Sequence, residues 1–78
     1  MKTLRQVFAP VLGLKVTDLD KKSSASTISS WDSVTNLILI AEIEKEYHVV
    51  ISIEDVYTLK NIGDVYLLIK NKGIKLTF

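Results

Sequence analysis

The 78-residue chain reads as all-α: a bundle of three main helices and one short one, with a long loop between the first helix and the second. Three observations carry that reading. Apolar residues recur at steps of three and four along most of the chain. Few residues interrupt it, with three glycines and one proline in total. A run of short polar residues, "KKSSASTISS", separates the first periodic stretch from the second, as a loop does. A chain of this length holds one domain, 1–78, with its helical core at about 2–72 and a tail at 73–78.

Helix one is expected over 2–12, where Leu4, Val7, Phe8, Val11 and Leu12 share a face. Pro10 inside it removes a backbone donor and crowds the carbonyl four residues back, at a cost of about 3 kcal/mol, so a kink or an early end is expected. Gly13 provides the stop. The loop over 14–31 is long for a domain of this size, and Leu14, Val16, Leu19 and Ile28 are the residues able to pin it. Helix two runs from Ser33 to Tyr47 with Asp32 as its N-cap. Its core stripe is expected to be Leu37, Ile40, Ile43 and Tyr47, and a second apolar row, Val34, Ile38 and Ala41, lies on a neighbouring face. After the β-branched crossing "HVVIS", the segment "IEDVYTLK" forms the short helix three. "NIGDVYLLIKNK" forms helix four, with Ile62, Val65, Leu68 and Ile69 inward and Gly73 as its end. The tail "IKLTF" has strand-like character and no evident partner.

Ten basic side chains against nine acidic ones leave a formal charge of +1, which marks the chain neither for nucleic acid nor as acidic. Lys60, Lys70, Lys72 and Lys75 make the last third basic, while Glu42, Glu44, Glu46, Glu54 and Asp55 make the middle acidic. The chain has no cysteine, which excludes a disulfide framework and a thiolate metal site and fits a cytoplasmic protein. The apolar stretch from Val7 to Leu14 is too short and too broken for a signal peptide. No segment approaches the roughly 18 uninterrupted apolar residues that a membrane span needs.

The inventory for catalysis is thin. A serine nucleophile needs a base within hydrogen-bond reach, and the one histidine, His48, stands at the far end of helix two from Ser33. At about 1.5 Å per residue their separation is roughly 22 Å. No phosphate-cradling glycine loop, nucleophile elbow or zinc spacing is present, and Asp18 and Asp20 lack the ligand series of a calcium loop. An enzyme acting alone is not expected. What stands out is Ser33, at a helix N-terminus beside Asp32 and an apolar row. A short polar residue there caps unpaired N–H groups, and the same end of the helix suits a phosphodiester, because its field favours negative charge by about 0.3–1 kcal/mol.

"WDSV" followed by "TNLILIAEIEKEYHVVIS" resembles the attachment motif and second helix of the acyl carrier proteins. "VFAPVLGL" is similar to the end of their first helix, and "ISIEDVYTLKNIGDVYLLI" to their short third and longer fourth helices. The resemblance covers roughly 3–70. It implies an acyl-carrier-like bundle in which Ser33 bears covalent 4'-phosphopantetheine, Asp32 is its neighbour in the motif, and an acyl or aminoacyl group rides as a thioester on the cofactor's thiol. Val34 stands where the family usually has Leu or Met. Thr35, Ile38 and Lys45 stand where many members carry acids, and Glu44 keeps its carboxylate.

The partners implied are a phosphopantetheinyl transferase, an acyl-loading ligase or transferase and a downstream synthase. A non-catalytic, cytoplasmic monomer without nucleic acid is expected to meet them. With few acids on helix two, contacts through Val34, Ile38 and Ala41 gain weight over charge. Leu37, Val56 and Leu59 are candidates to line a groove between helices two and three that shelters part of the arm, beside their role in packing. Two rivals come from other classes. A DNA-binding helical domain is disfavoured by the glutamates of helix two and its lack of base-reading side chains. A cofactor-free helical interaction module, or a degenerate carrier, also accounts for the second apolar row.

Overall fold

A computed structural model describes all 78 residues. Its elements are α-helices without strands: α1 (Leu4–Leu12), α2 (Ser33–Tyr47), the short α3 (Ile53–Thr58) and α4 (Ile62–Asn71). A one-turn 3₁₀ helix, Val16–Asp18, lies in the loop between α1 and α2. The expected all-helical bundle is present: α2 has the boundaries that spacing suggests, and the other three helices are shorter than expected by two residues each.

Capping sets the start of α1. The Thr3 hydroxyl accepts from the Gln6 N–H at 3.2 Å, and the Gln6 side chain accepts from the Thr3 N–H at 2.9 Å, so two otherwise unpaired donors satisfy each other. Two further donors of that turn, the N–H groups of Leu4 and Arg5, bond to the carbonyls of Thr77 and Phe78, both at 2.9 Å. The tail is therefore no strand. It returns to complete the N-terminus of α1, and the Phe78 ring is held edge-on to Tyr66 at 6.2 Å with the Arg5 guanidinium 5.1 Å from its centre.

Pro10 does not end α1 early. The helix continues through Leu12, which is buried, and burial of that side chain outweighs the lost backbone bond. Gly13 then turns the chain at φ +68, a left-handed conformation that glycine adopts without the steric cost of a Cβ. Its N–H and that of Leu14 bond back to Pro10 and Ala9.

α2 and α1 run antiparallel, tied at both ends. The Tyr47 hydroxyl donates to the Lys2 carbonyl at 2.9 Å, and the Ser30 hydroxyl donates to the Leu12 carbonyl at 2.8 Å. The face that α2 buries keeps Ile43 and Tyr47 of the expected stripe and takes Leu39 in place of Leu37. Leu39, Ile43 and Tyr47 are in the core and Ile40 is half-buried, whereas Leu37 is 70% exposed. Apolar residues lie on both faces of this helix, so two stripes compete, and α1 selects the one containing Leu39. At its C-terminus His48 takes a left-handed conformation, φ 54, with its N–H bonded to Glu44.

The crossing that follows is fixed by Ile51, whose side chain is buried and whose N–H donates to Glu44 Oε2 at 2.9 Å. Ser52 caps α3 and Asn61 caps α4. α3 ends at Thr58, short of the "LK" expected to belong to it. α4 turns Ile62, Val65 and Ile69 into the core, with Leu68 half-buried at the edge.

The long loop is pinned by side chains and by backbone. Leu19 is buried, and Leu14, Val16 and Ile28 pack on the core from outside. Its carbonyls also serve α4: Ser23 accepts from Ile62 N–H at 3.0 Å and Lys21 from Gly63 N–H at 2.9 Å. These bonds satisfy the first donors of α4. They also seat the loop against its start, which is why Gly63 is required there: a Cβ would stand 2.9 Å from the Lys21 carbonyl oxygen.

Candidate functional site

Ser33 is the first residue of α2 and is exposed. Two neighbours place it there. Trp31 is buried, its ring edge-on to Phe8 at 5.5 Å and its indole N–H donating to Asn36 Oδ1 at 3.0 Å. That anchor fixes the entry of the chain, and the residues immediately after it face solvent. Asp32 then closes the first turn, accepting the Thr35 N–H at 2.8 Å. This backbone hydrogen bond is the main cause holding the Asp32 carboxyl below its ordinary pKa, so the group is an anion at neutral pH.

Beside Ser33 lies a shallow depression of about 280 Å³. Trp31, Asp32, Ser33 and Asn36 form one side of it, and Ala25, Leu59 and Lys60 close it from the loop and from the joint between α3 and α4. Of the groove residues expected from the sequence, Leu59 is here. Val56 is half-buried and packs on the core, and Leu37 points outward on α2. Spacing along a helix could not single out Ala25, Asn36 or Lys60, because they come from three separate segments. The loop and the start of α4 are brought together by the backbone bonds from Ile62 and Gly63 to Ser23 and Lys21, contacts that no helical spacing shows.

Val34, Leu37, Ile38 and Ala41 are all exposed and follow one another along the outer face of α2. Ile53 and Tyr57 on α3, 72% and 83% exposed, are also uncovered. This is more apolar surface on two neighbouring elements than scattered single residues account for. His48 stands at the opposite end of α2 from Ser33, so no base adjoins the serine from that side. No cluster of histidine and acidic side chains is arranged for a metal ion, and no helix is long and apolar enough to cross a membrane.

The model of the family described as "phosphopantetheine attachment site" matches residues 2–69. The chain belongs to that family. In the solved structures, the chain is similar to a holo acyl carrier protein from Geobacter metallireducens, determined in solution by NMR. The TM-score is 0.80 and the identity 31%, over 92% of this chain and 86% of that one. No curated protein sequence matches the chain. The resemblance drawn from "WDSV" and the helices after it therefore holds for the family, for the four-helix fold, and for 4'-phosphopantetheine as the covalent cofactor of an acyl carrier protein. The cofactor-free alternative is not favoured.

The residues fit such a group. An exposed hydroxyl, a depression with Trp31 and Leu59 as apolar lining, and one lysine at its rim offer an acceptor for the phosphate, a surface for the first atoms of the arm and a counter-charge.

Proposed function

We propose that this carrier receives its cofactor on the Ser33 hydroxyl and presents the cargo to partner enzymes from the end of α2. The observation that carries the proposal is the exposure of Ser33 as the residue after a buried anchor and a capping aspartate. In the transfer, Ser33 Oγ forms a bond to the phosphorus of coenzyme A that bears the pantetheine arm. The diphosphate P–O bond breaks, adenosine 3',5'-bisphosphate leaves, and the hydroxyl proton passes to a base of the transferase, the Asp32 carboxylate being engaged with the Thr35 N–H. When bound, the group supplies a thiol on which an acyl or aminoacyl cargo is held as a thioester, so the absence of cysteine from the chain is no obstacle.

What the chain's own residues supply is position. Asp32 and Trp31 hold the start of α2 in one conformation, Leu59 and Trp31 provide apolar surface for the first part of the arm, and the row Val34, Leu37, Ile38 and Ala41 provides the docking face. That face is apolar beside the attachment residue and carries Lys45 further along, so the phosphopantetheinyl transferase, the loading ligase or transferase and the downstream synthase are recognised through apolar burial more than through charge. The chain itself performs no chemistry beyond accepting the arm, and a monomer acting in the cytoplasm fits this role.

Intact-mass spectrometry after incubation with coenzyme A and a broad-specificity phosphopantetheinyl transferase tests the proposal. A single adduct on the wild-type chain and none on Ser33→Ala is the expected result; an adduct of equal yield on Ser33→Ala overturns it.

A further inference from the structure

The depression beside Ser33 holds two kinds of charge. Asp32 is an anion already bonded to the Thr35 N–H of the first turn, so one of the donors at this end of α2 is taken before any phosphate arrives. A phosphodiester on the adjacent hydroxyl adds a second negative charge next to the first, and like charges at such range repel. The one cation lining the depression is Lys60. It is exposed and takes no part in the single ion pair of the chain, which joins Lys72 to Asp55 at 3.6 Å. Its backbone is held in place: the Lys60 N–H donates to Asp64 Oδ2 at 2.9 Å, and the next residue, Asn61, caps α4 by accepting the Asp64 N–H at 2.8 Å. A lysine without a carboxylate partner thus stands on a fixed joint of the fold, at the rim of the same depression as the hydroxyl.

We infer that Lys60 is a positioning residue for the arm, its ammonium group serving as the counter-charge to the phosphodiester on Ser33 and drawing the arm toward the α3–α4 joint. The inference rests on Ser33 being the attachment residue. Lys60 offsets the repulsion from Asp32 and brings the first atoms of the arm over Leu59, so the modified chain is stabilised by a contact that the unmodified chain lacks. Only positive charge is required, and arginine would serve.

The test compares the melting temperatures of unmodified and modified protein for wild type, Lys60→Ala and Lys60→Arg, after mass spectrometry has shown each sample fully modified. At low ionic strength the gain in melting temperature on modification should be larger in wild type and Lys60→Arg than in Lys60→Ala, by about 2–4 °C for an exposed charge pair in a domain of this size. The difference should vanish in about 1 M salt, where the screening length is about 3 Å. The ³¹P resonance of the phosphodiester should shift between wild type and Lys60→Ala and stay near the wild-type position in Lys60→Arg. Equal gains in all three proteins, or a ³¹P position indifferent to Lys60, would overturn the inference while leaving the attachment residue intact. An adduct that survives Ser33→Ala would remove both.

Discussion

Leu37 and Leu39 are two residues apart on α2 and have opposite fates, which makes them a direct test of how this helix sits. Leu39 is 1% exposed and Leu37 70%. Truncating a fully buried leucine to alanine removes its transfer free energy and leaves a cavity, at a cost of about 2–5 kcal/mol. A domain of this length is stable by about 4–12 kcal/mol, so Leu39→Ala should lose a large share of the total. At about 4–8 °C per kcal/mol for a small domain, a loss of about 3 kcal/mol lowers the melting temperature by roughly 12–24 °C. Leu37→Ala should change stability by no more than about 0.5 kcal/mol, as for other surface substitutions. Instead it should slow modification by the transferase, because Leu37 belongs to the proposed docking face. Urea unfolding followed by circular dichroism measures the first effect, and the rate of adduct formation the second. Equal destabilisation by the two substitutions, or a larger one from Leu37→Ala, would mean that α2 is rotated about its axis, with the core stripe containing Leu37 after all.

Two further predictions concern the fold that carries the site. Gly63→Ala exchanges a poor helix former for the best one, a change worth about 1 kcal/mol in favour of stability at an open helix position. Here its Cβ would meet the Lys21 carbonyl, which is itself held at 2.9 Å by the Gly63 N–H, so thermal unfolding should show a net loss of about 1–3 kcal/mol; stabilisation would show that the loop is not seated on α4. Burial, and secondarily the charge of Glu46, pushes the Tyr47 hydroxyl up to about 12, against about 10 for a free tyrosine. The unfolded chain therefore loses this proton first, and the contribution of Tyr47 to stability, complete below about pH 10, falls away as pH rises through about 12. Urea midpoints of wild type and Tyr47→Phe should have a fixed offset up to about pH 10 and converge above it. An offset that grows with pH would contradict the assignment.

Much of this was legible in the residues. α2 begins at Ser33 behind an Asp32 cap and ends at Tyr47, as the change from short polar residues to apolar ones implies. Its direction of burial was legible at Ile43 and Tyr47, which are buried, and at Val34, Ile38 and Ala41, which are not; Leu37 was misassigned because, in the first turns, apolar residues lie on both sides and spacing favours neither Leu37 nor Leu39. The choice is made by α1, with Tyr47 tied to Lys2. The tail was illegible for a related reason. "IKLTF" alternates like a strand, and its role emerges only where its carbonyls meet the unpaired donors of Leu4 and Arg5, from the other end of the sequence. Pro10 misled because propensity cannot register the burial of Leu12. Of the residues that line the depression beside Ser33, Asp32, Ser33 and Leu59 were candidates in the sequence, whereas Ala25 and Lys60 come beside them only through the fold, where the loop is bonded to the start of α4.

The long loop places several other hydroxyls close to Ser33 in sequence, and cleavage after Lys22 and Lys45 yields one peptide, 23–45, that contains them all. Fragmentation of that peptide from the modified protein locates the arm residue by residue. The predicted outcome is an adduct on Ser33 alone, the hydroxyl held outward by the Trp31 anchor. An adduct on Ser24, Ser26, Ser29 or Ser30 would contradict it, since it would make the accessible loop, and not the start of α2, the place that the transferase reads.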